Sequence, residues 1–237
     1  MIFVDAGTTW AKVIAINDCN ESLGALKQYH IETVDNFEKF IVPSKILKSS
    51  KLKFSGATGH MSKVNLNHEN NYLNEVIALS KGFLAKTNGD GLVLDLGSRD
   101  VKWVNFKQGK FSDLDWNSSC ASATGATVEM LLKFYDVDVD DLSVADEKYN
   151  ITCGIFGLEK IMDDVANGEE PKVAISKFIH GLAYNVWSFS KKTDNLYLSG
   201  GFCDNSCFVK SLQKYTNVTV LGRFLLVEGL ISEFYNN

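Results

Sequence analysis

Two short segments of the sequence contain residue types that suit the binding of phosphate groups. Asp5–Thr9 reads Asp-Ala-Gly-Thr-Thr after an apolar run, and Asp95–Ser98 reads Asp-Leu-Gly-Ser after a second apolar run. Glycine in such a turn lets backbone N–H groups approach phosphate oxygens, because no Cβ stands in the way. Thr8 and Thr9 add hydroxyl donors, and Lys12 adds a positive charge. We therefore predict that these turns bind a polyphosphate.

The two segments are in register with one another. Asp95 follows Asp5 by 90 positions, and a glycine, a hydroxyl residue and a lysine recur at the same spacing, ending at Lys12 and Lys102. One Asp-x-Gly turn alone would indicate only the end of a strand, but two in register favour a duplicated phosphate site. At equivalent strand ends, Asp5 and Asp95 are expected to face each other across a cleft and to hold Mg²⁺, largely through water.

The elements around these turns predict an α/β fold in two halves, residues 1–86 and 87–237. Each half begins with an apolar strand, a tight turn and a second strand, which is typical of a hairpin. Strands then alternate with helical patterns, so each half forms an α/β layer, with a cleft between the two. In the first half, strands are predicted around 24–34 and at 52–55, and helices at about 37–47 and 72–86. The later helices are predicted at about 121–135, 156–166, 173–190 and 205–215, with a last one from 225.

Composition excludes several classes of protein. Of the 237 residues, 45% are hydrophobic and 22% are charged, which supports a folded core rather than a disordered chain. The net charge of −5 argues against a nucleic-acid binder. The sequence has no apolar run of about 20 residues, so no membrane association is expected. The N-terminus enters a strand directly, without a secretory leader, so we expect a cytoplasmic protein whose cysteines are thiols or metal ligands.

The motifs together resemble a known superfamily. Asp5–Thr9 with Lys12 resembles the first phosphate loop of the actin, Hsp70 and sugar-kinase ATPases. Asp95–Gly97 resembles their second phosphate loop, and Leu198–Gly201 resembles their adenosine-binding glycines. More narrowly, the chain resembles the activator ATPases of 2-hydroxyacyl-CoA dehydratases and benzoyl-CoA reductases (the BadF/BadG/BcrA/BcrD group). This resemblance covers nearly the whole chain, and segments at 57–60, 117–125, 151–156 and 199–205 keep the order of the family's motifs.

The resemblance implies two ribonuclease H-like subdomains of the actin-like ATPase fold, with a nucleotide cleft between them. It implies that ATP or ADP binds with Mg²⁺, and that Asp5 and Asp95 are the catalytic and metal-holding residues. The implied nucleotide-binding residues are Gly7, Thr8, Thr9, Lys12, Gly97, Ser98, Gly200 and Gly201. The implied function is an ATPase that couples hydrolysis to low-potential electron transfer. Reduced ferredoxin or flavodoxin would supply the electron, and a partner dehydratase or reductase would receive it.

Two of the five cysteines match positions at which the resembled family binds iron. The resemblance implies that Cys120 and Cys153 hold a [4Fe–4S] cluster shared between two chains. Each cysteine lies just before a helical pattern, and the positive end of a helix stabilises a thiolate. Two cysteines cannot fill four iron sites, but a two-fold homodimer supplies four. The alternative is two unrelated buried thiols. Cys203 and Cys207 are predicted to be structural thiols.

The second phosphate loop departs from the family's pattern, because Ser98 and Arg99 stand where the family has Gly and Gln. The Gln is a candidate for positioning water, so the rate of hydrolysis is open. Two other functions also stay open. One is a small-molecule kinase, such as an N-acetylhexosamine kinase, in which Asp95 or Asp100 could serve as the base. The other is a nucleotide-binding scaffold whose ATPase activity has decayed.

Overall fold

The strands and helices divide between two units of the computed structural model. The structure describes residues 1–237 except 17–22, 51, 63–65, 67–70, 118–123, 153 and 236–237, and at 48–49 only the backbone. The first unit contains Met1–Gly89 and Phe224–Asn237, and the second contains Asp90–Arg223.

The described elements follow one another in the order below. The strands are β1 (Ile2–Ala6), β2 (Trp10–Ile16), β3 (His30–Val34), β4 (Phe37–Pro43), β5 (Gly56–Thr58), β6 (Gly91–Leu96), β7 (Val101–Lys107), β8 (Lys110–Asn117), β9 (Asn195–Gly200) and β10 (Asn217–Gly222). The helices are α1 (Ser44–Ser49), α2 (Glu75–Lys86), α3 (Gly125–Phe134), α4 (Gly154–Ala166), α5 (Pro171–Phe189), α6 (Ser206–Gln213) and α7 (Leu225–Phe234). Among the described helices, none combines the length and the apolar character that crossing a lipid bilayer requires.

The first unit is a five-stranded sheet in the order β3-β4-β2-β1-β5. β1 pairs antiparallel with β2 and parallel with β5. The chain between β1 and β5 therefore includes a crossover connection. Every residue of β1 is buried, because both faces of the sheet are covered. Val4 packs in a cluster with Phe40 on one face, and Phe3 packs against Val227 and Leu230 of α7 on the other.

Helix α7 belongs to the first unit, although it is the last element of the chain. It crosses α2 at very short range, since a Cβ added at Gly229 would lie 1.9 Å from the carbonyl oxygen of Ala78. At the same crossing, a Cβ added at Gly82 would lie 2.2 Å from the carbonyl oxygen of Leu225. The structural division therefore differs from the predicted domains, 1–86 and 87–237, in the placement of this helix. A long-range contact of this kind leaves no local signal in the sequence.

The second unit is a five-stranded sheet in the order β10-β9-β6-β7-β8. β6, β7 and β8 form an antiparallel meander, and β9 and β10 join it in parallel with β6. The long helix α5 supplies much of the core, in which Phe178, Ile179 and Leu182 are buried with Trp103 of β7. The prediction of two α/β halves that begin with similar hairpins is confirmed by these two sheets.

One predicted helix is wrong. The segment predicted as a helix at 37–47 forms strand β4 and the short helix α1. Its apolar residues Phe37, Phe40 and Ile41 have helical spacing, but Phe40 and Val42 alternate with less buried neighbours and face the core. Pairing with β2 along the whole of β4 satisfies the backbone hydrogen bonds that a helix would have satisfied locally.

Candidate functional site

The first Asp-x-Gly turn joins β1 to β2. Asp5 and Lys12 are partners in the register of this hairpin, and Lys12 Nζ lies 2.9 Å from Asp5 Oδ2. Asp5 is buried, so the ion pair is largely shielded from water. Within the turn, Thr8 is exposed and Thr9 is half-buried. The residues predicted to bind phosphate in the first half therefore meet at one end of the hairpin, next to a buried ion pair.

The start of α1 braces this turn. Ser44 Oγ donates a hydrogen bond of 2.7 Å to the carbonyl oxygen of Gly7. The backbone N–H of Ser44 donates to the carbonyl oxygen of Thr9 at 2.9 Å. Both bonds come from one residue and hold the two ends of the turn, so Ser44 fixes the shape of the first Asp-x-Gly turn.

The second Asp-x-Gly turn joins β6 to β7 and repeats the ion pair. Asp95 and Lys102 are partners in register, with Lys102 Nζ 3.3 Å from Asp95 Oδ2. Here the lysine also lies 3.2 Å from Asp100 Oδ1, and its side chain is only 2% exposed. Asp100 in turn accepts a hydrogen bond of 2.7 Å from Trp116 Nε1. The lysine of the second turn is thus held by two carboxylates inside the unit.

A hydroxyl residue lies beside each aspartate on the neighbouring parallel strand. Thr58 of β5 is the register partner of Asp5, and Ser199 of β9 is the register partner of Asp95. Ser199 Oγ donates a hydrogen bond of 3.0 Å to Asp95 Oδ1. Neither hydroxyl is among the site residues predicted from the sequence. The signal that could have found them is a shared hydroxyl-glycine pair, Thr58-Gly59 and Ser199-Gly200.

Both hydroxyl residues precede a glycine with a positive φ. Gly59 has φ +94° and Gly200 has φ +97°, a conformation that favours glycine. A Cβ would lie 2.5 Å from the carbonyl oxygen of Ala6 at the first position, and 2.4 Å from that of Leu96 at the second. These two glycines therefore let β5 and β9 end against the backbone of the two Asp-x-Gly turns.

The predicted adenosine-binding glycines lie at the end of β9. Gly200 is buried and Gly201 is exposed, and the Gly201 carbonyl oxygen accepts a hydrogen bond of 3.1 Å from Arg223 Nη2. Cys203 follows in a short 3₁₀ helix, and burial raises the pKa of its thiol to about 12. Burial also raises the pKa of the Cys207 thiol. Both cysteines are thus protonated thiols at neutral pH, which suits a structural role.

The second Asp-x-Gly turn is hydrogen-bonded directly to the start of α3. The carbonyl oxygen of Gly97 accepts from the N–H of Gly125 at 3.3 Å, and that of Ser98 accepts from the N–H of Ala126 at 3.0 Å. Thr124 Oγ1 donates to the same Ser98 carbonyl at 2.6 Å. N–H groups in the first turn of a helix have no acceptor within the helix, and here the carbonyl oxygens of the turn are their acceptors.

Cys120 and Cys153, like Cys19, lie outside the described residues, but their chain neighbours share one pocket. This pocket of the second unit has a volume of about 160 Å³. Asn117 and Thr124, which flank one undescribed segment, line it together with Thr152 and Gly154, which flank Cys153. The described residues on either side of the two predicted iron ligands therefore line the same pocket.

The structure thus brings the predicted residues together in two groups, one in each unit. The first group contains Asp5, Gly7, Thr8, Thr9 and Lys12. The second group contains Asp95, Gly97, Ser98, Gly200 and Gly201.

Several curated proteins are similar to this sequence over most of its length, although no family model matches it. It is 24% identical over 230 residues to an uncharacterised protein of Methanocaldococcus jannaschii, covering 92% of both chains. It is 22% identical over 181 residues to the activator of lactoyl-CoA dehydratase of Anaerotignum propionicum, covering 70% of this chain and 68% of that one. It is 22% identical over 216 residues to the (R)-2-hydroxyglutaryl-CoA dehydratase activating ATPase of Acidaminococcus fermentans, covering 85% and 82%.

Two solved structures have the same fold. The activator of the 2-hydroxyisocaproyl-CoA dehydratase from Clostridium difficile, solved with bound ADPNP, has a TM-score of 0.75 at 16% identity, over 100% of this chain and 94% of that chain. Component A of the Acidaminococcus fermentans (R)-2-hydroxyglutaryl-CoA dehydratase has a TM-score of 0.72 at 17% identity, over 100% and 97%. The resemblance seen in the sequence is therefore confirmed: the chain is a homologue of the activators of 2-hydroxyacyl-CoA dehydratases and has the actin-like ATPase fold.

Proposed function

We propose that the protein is an ATP hydrolase that activates a partner acyl-CoA dehydratase or reductase by delivering low-potential electrons. The observation that carries this proposal is the repeated turn, in which Asp5 with Lys12 and Asp95 with Lys102 occupy the same register in two similar hairpins. The names of the related proteins agree with it, because they include a dehydratase-activating ATPase and an activator of lactoyl-CoA dehydratase.

The two turns supply the groups that a nucleotide polyphosphate needs. In the first turn, the backbone at Gly7 with the hydroxyls of Thr8 and Thr9 would bind phosphate oxygens, and Lys12 would balance their charge. In the second turn, Gly97 and Ser98 would do the same. Gly200 and Gly201 would pack against the adenosine, where side chains would obstruct it. A solved structure with bound ADPNP has the same fold, which supports nucleotide as the ligand.

The aspartates fit a magnesium ion bound through the nucleotide. Asp5 and Asp95 each end a buried strand, and Mg²⁺ is typically held by one or two carboxylates together with phosphate oxygens and water. The described residues include no group of three or more potential metal ligands. Bound Mg²⁺ would neutralise phosphate charge. Asp5 and Asp95 would orient the water that attacks the terminal phosphate.

The chain neighbours of Cys120 and Cys153 support the proposal that these two residues hold a shared [4Fe–4S] cluster. Two cysteines per chain are half of the four thiolates that such a cluster needs, and a pair of chains supplies the rest. The flanks of Cys120 and Cys153 line the same pocket, which supports their acting on one ligand. When bound, the cluster would supply one-electron transfer at low potential.

A homodimer would also cover an apolar surface beside Cys153. Ile155 and Phe156, on the first turn of α4, are 65% and 64% exposed. Large side chains this exposed at a helix end are unfavourable in water, and adjacent ones mark an interaction surface. A second copy of the chain is the occupant that we propose, because it would bring the missing pair of cysteines. Ferredoxin or flavodoxin in the cytoplasm would then load the cluster.

The small-molecule kinase is less well supported. A kinase needs a carboxylate that accepts a proton from the acceptor hydroxyl. Asp100 is a poor candidate, because its two oxygens contact Lys102 and Trp116. Screening sugars and short acids as phosphoryl acceptors would detect this activity. An acceptor that stimulates ATP turnover about a hundredfold, with no effect of Cys120→Ser, would replace our proposal with the kinase.

Nucleotide binding can be tested by thermal unfolding. Mg·ADP at about 100 times its Kd adds about 2.7 kcal/mol of stability, which is roughly 5–10 °C for a chain of this size. Asp5→Asn and Asp95→Asn should each greatly reduce ATP hydrolysis, because they remove the metal-orienting charge. Asp140→Asn, at an exposed position, is the matched control and should change nothing. Wild-type protein with no nucleotide-dependent shift up to millimolar concentration would refute the proposal.

Iron binding is tested separately under anaerobic conditions. Purified protein should contain four irons per two chains. Cys120→Ser and Cys153→Ser should each abolish the iron, because each removes two of the four thiolates of a dimer. Cys203→Ser and Cys207→Ser are the controls and should retain it. Iron retained in both Cys120→Ser and Cys153→Ser would exclude the assignment.

A further inference from the structure

The two units share an arrangement of an aspartate and a neighbouring hydroxyl, but the hydroxyls differ in their hydrogen bonds. Thr58 lies opposite Asp5, and Ser199 lies opposite Asp95, each pair on adjacent parallel strands. Ser199 Oγ donates to Asp95 Oδ1 at 3.0 Å. In the described part of the first unit, Thr58 Oγ1 has no hydrogen-bond partner. The hydroxyl beside the aspartate is thus hydrogen-bonded in the second unit and has no described partner in the first.

The open hydroxyl is completely buried. Thr58 has 0% exposure, so water does not replace the missing partner at the surface of the unit. A buried hydroxyl without a hydrogen bond destabilises the folded state, and most such groups in native proteins have a partner. A valine would have the same shape without this cost. The threonine at this position therefore indicates a partner that arrives with a ligand.

The location of Thr58 points to the phosphate end of the proposed nucleotide. It is the last residue of β5, next to the end of β1 where the first turn begins. The backbone that follows is held in place, since the N–H of Met61 donates to the Ala6 carbonyl at 2.9 Å and Ser62 Oγ donates to the Gly59 carbonyl at 2.7 Å. Ligands of parallel α/β sheets bind at the carboxyl ends of the strands.

From these observations we infer that Thr58 Oγ1 hydrogen-bonds an oxygen of the bound Mg·nucleotide beside Asp5. The oxygen belongs either to a phosphate or to a water that the metal carries, and the hydroxyl can serve both as donor and acceptor. The inference rests on the proposed nucleotide function and adds a binding residue to it. Ser199 in the second unit differs, because its hydroxyl already donates its proton to Asp95 and has none left to donate to a phosphate oxygen.

The test compares apo stability with nucleotide affinity in Thr58→Val. Apo Tm should rise by about 2 °C or more, since the variant removes an unsatisfied buried hydroxyl. The Kd for Mg·ADP, measured by calorimetry, should increase about tenfold, because one hydrogen bond to the ligand is lost. Thr58→Ser keeps the hydroxyl and should bind Mg·ADP like the wild type. The titration is repeated with ADP and EDTA. If the partner is a phosphate oxygen, Thr58→Val binds more weakly than the wild type in both titrations. If the partner is a metal-bound water, the variant binds more weakly only when Mg²⁺ is present.

Thr216→Val is the matched control. Thr216 Oγ1 is also buried without a partner among the described residues, but it precedes β10 at the end of the sheet away from Gly200. This variant should raise the apo Tm and leave the Kd unchanged. If Thr58→Val binds Mg·ADP as tightly as the wild type, the inference is wrong and the proposed function stands. If the wild type binds no nucleotide, both are wrong.

Discussion

Replacing Lys102 by methionine tests whether the second turn depends on a buried charge network. Lys102 Nζ lies 3.3 Å from Asp95 Oδ2 and 3.2 Å from Asp100 Oδ1, and its side chain is 2% exposed. Methionine keeps most of the apolar volume and removes the positive charge. Two carboxylates then lose their counter-charge in a place that water barely reaches. Removing one partner of a buried ion pair typically costs about 3–5 kcal/mol.

The duplicated hairpin offers a matched comparison at Lys12. Lys12 occupies the same register position and pairs with Asp5, but its side chain is 14% exposed. Lys12→Met should therefore cost about 1–2 kcal/mol, between the values for surface and buried pairs. The difference between the two variants measures what the deeper burial adds at Lys102.

Thermal unfolding of the apo protein is the assay. A loss of 3–5 kcal/mol corresponds to a fall in Tm of roughly 6–20 °C for a protein of this size. The double variant Lys102→Met with Asp95→Asn should recover part of this loss, because one of the unpaired charges is gone. A Tm for Lys102→Met no lower than that of Lys12→Met would refute the reasoning. So would a double variant less stable than Lys102→Met alone.

Three further predictions concern the second unit. Cys203, with its thiol pKa raised to about 12 by burial, should resist alkylation at pH 8 until the protein unfolds, which mass spectrometry can follow. Burial lowers the pKa of His180, so the unfolded chain takes up the proton first, and stability should fall as the pH drops below about 6.5. His180→Gln should reduce this pH dependence of Tm. We expect chelators to remove the iron faster with Mg·ATP bound than with Mg·ADP bound. Thr124→Val, which removes the 2.6 Å hydrogen bond to Ser98, should decrease this difference and leave Mg·ADP affinity unchanged.

The parts of the fold that the sequence predicts are those determined by local pattern. The hairpins at Asp5 and Asp95 follow from apolar runs that end in Asp-x-Gly. Helix α5 follows from a long apolar period, with Pro171 at its first turn. The pattern of strand β4 wrongly predicts a helix, because the strand forms by pairing with β2, and this pairing is not visible in the local sequence. The packing of α7 on α2 was missed for the same reason.

The candidate site shows the same limit. Glycines, hydroxyls and the two aspartates are recognisable by type and spacing, because phosphate binding uses backbone and short side chains of one turn. The roles of Thr58 and Ser199 depend on which strands are neighbours, and each lies far along the chain from the aspartate that it adjoins. The sequence shows the repeat of Lys12 at Lys102. It does not show that Lys102 also contacts Asp100.

The hydrogen bonds between the second turn and α3 give a physical basis for coupling ATP hydrolysis to the proposed cluster. From the sequence, a path from Asp95 to Cys120 would run through two strands. The structure instead joins Gly97 and Ser98 directly to the start of α3, by bonds of 2.6–3.3 Å, and Cys120 precedes Thr124 by four positions in the chain. A displacement of about 1 Å at these carbonyls takes such bonds beyond hydrogen-bonding distance. If the γ-phosphate binds only one of two arrangements of the second turn, its binding would therefore also favour one position of the start of α3. Linkage then requires that the state of the cluster site change the affinity for nucleotide by the same factor.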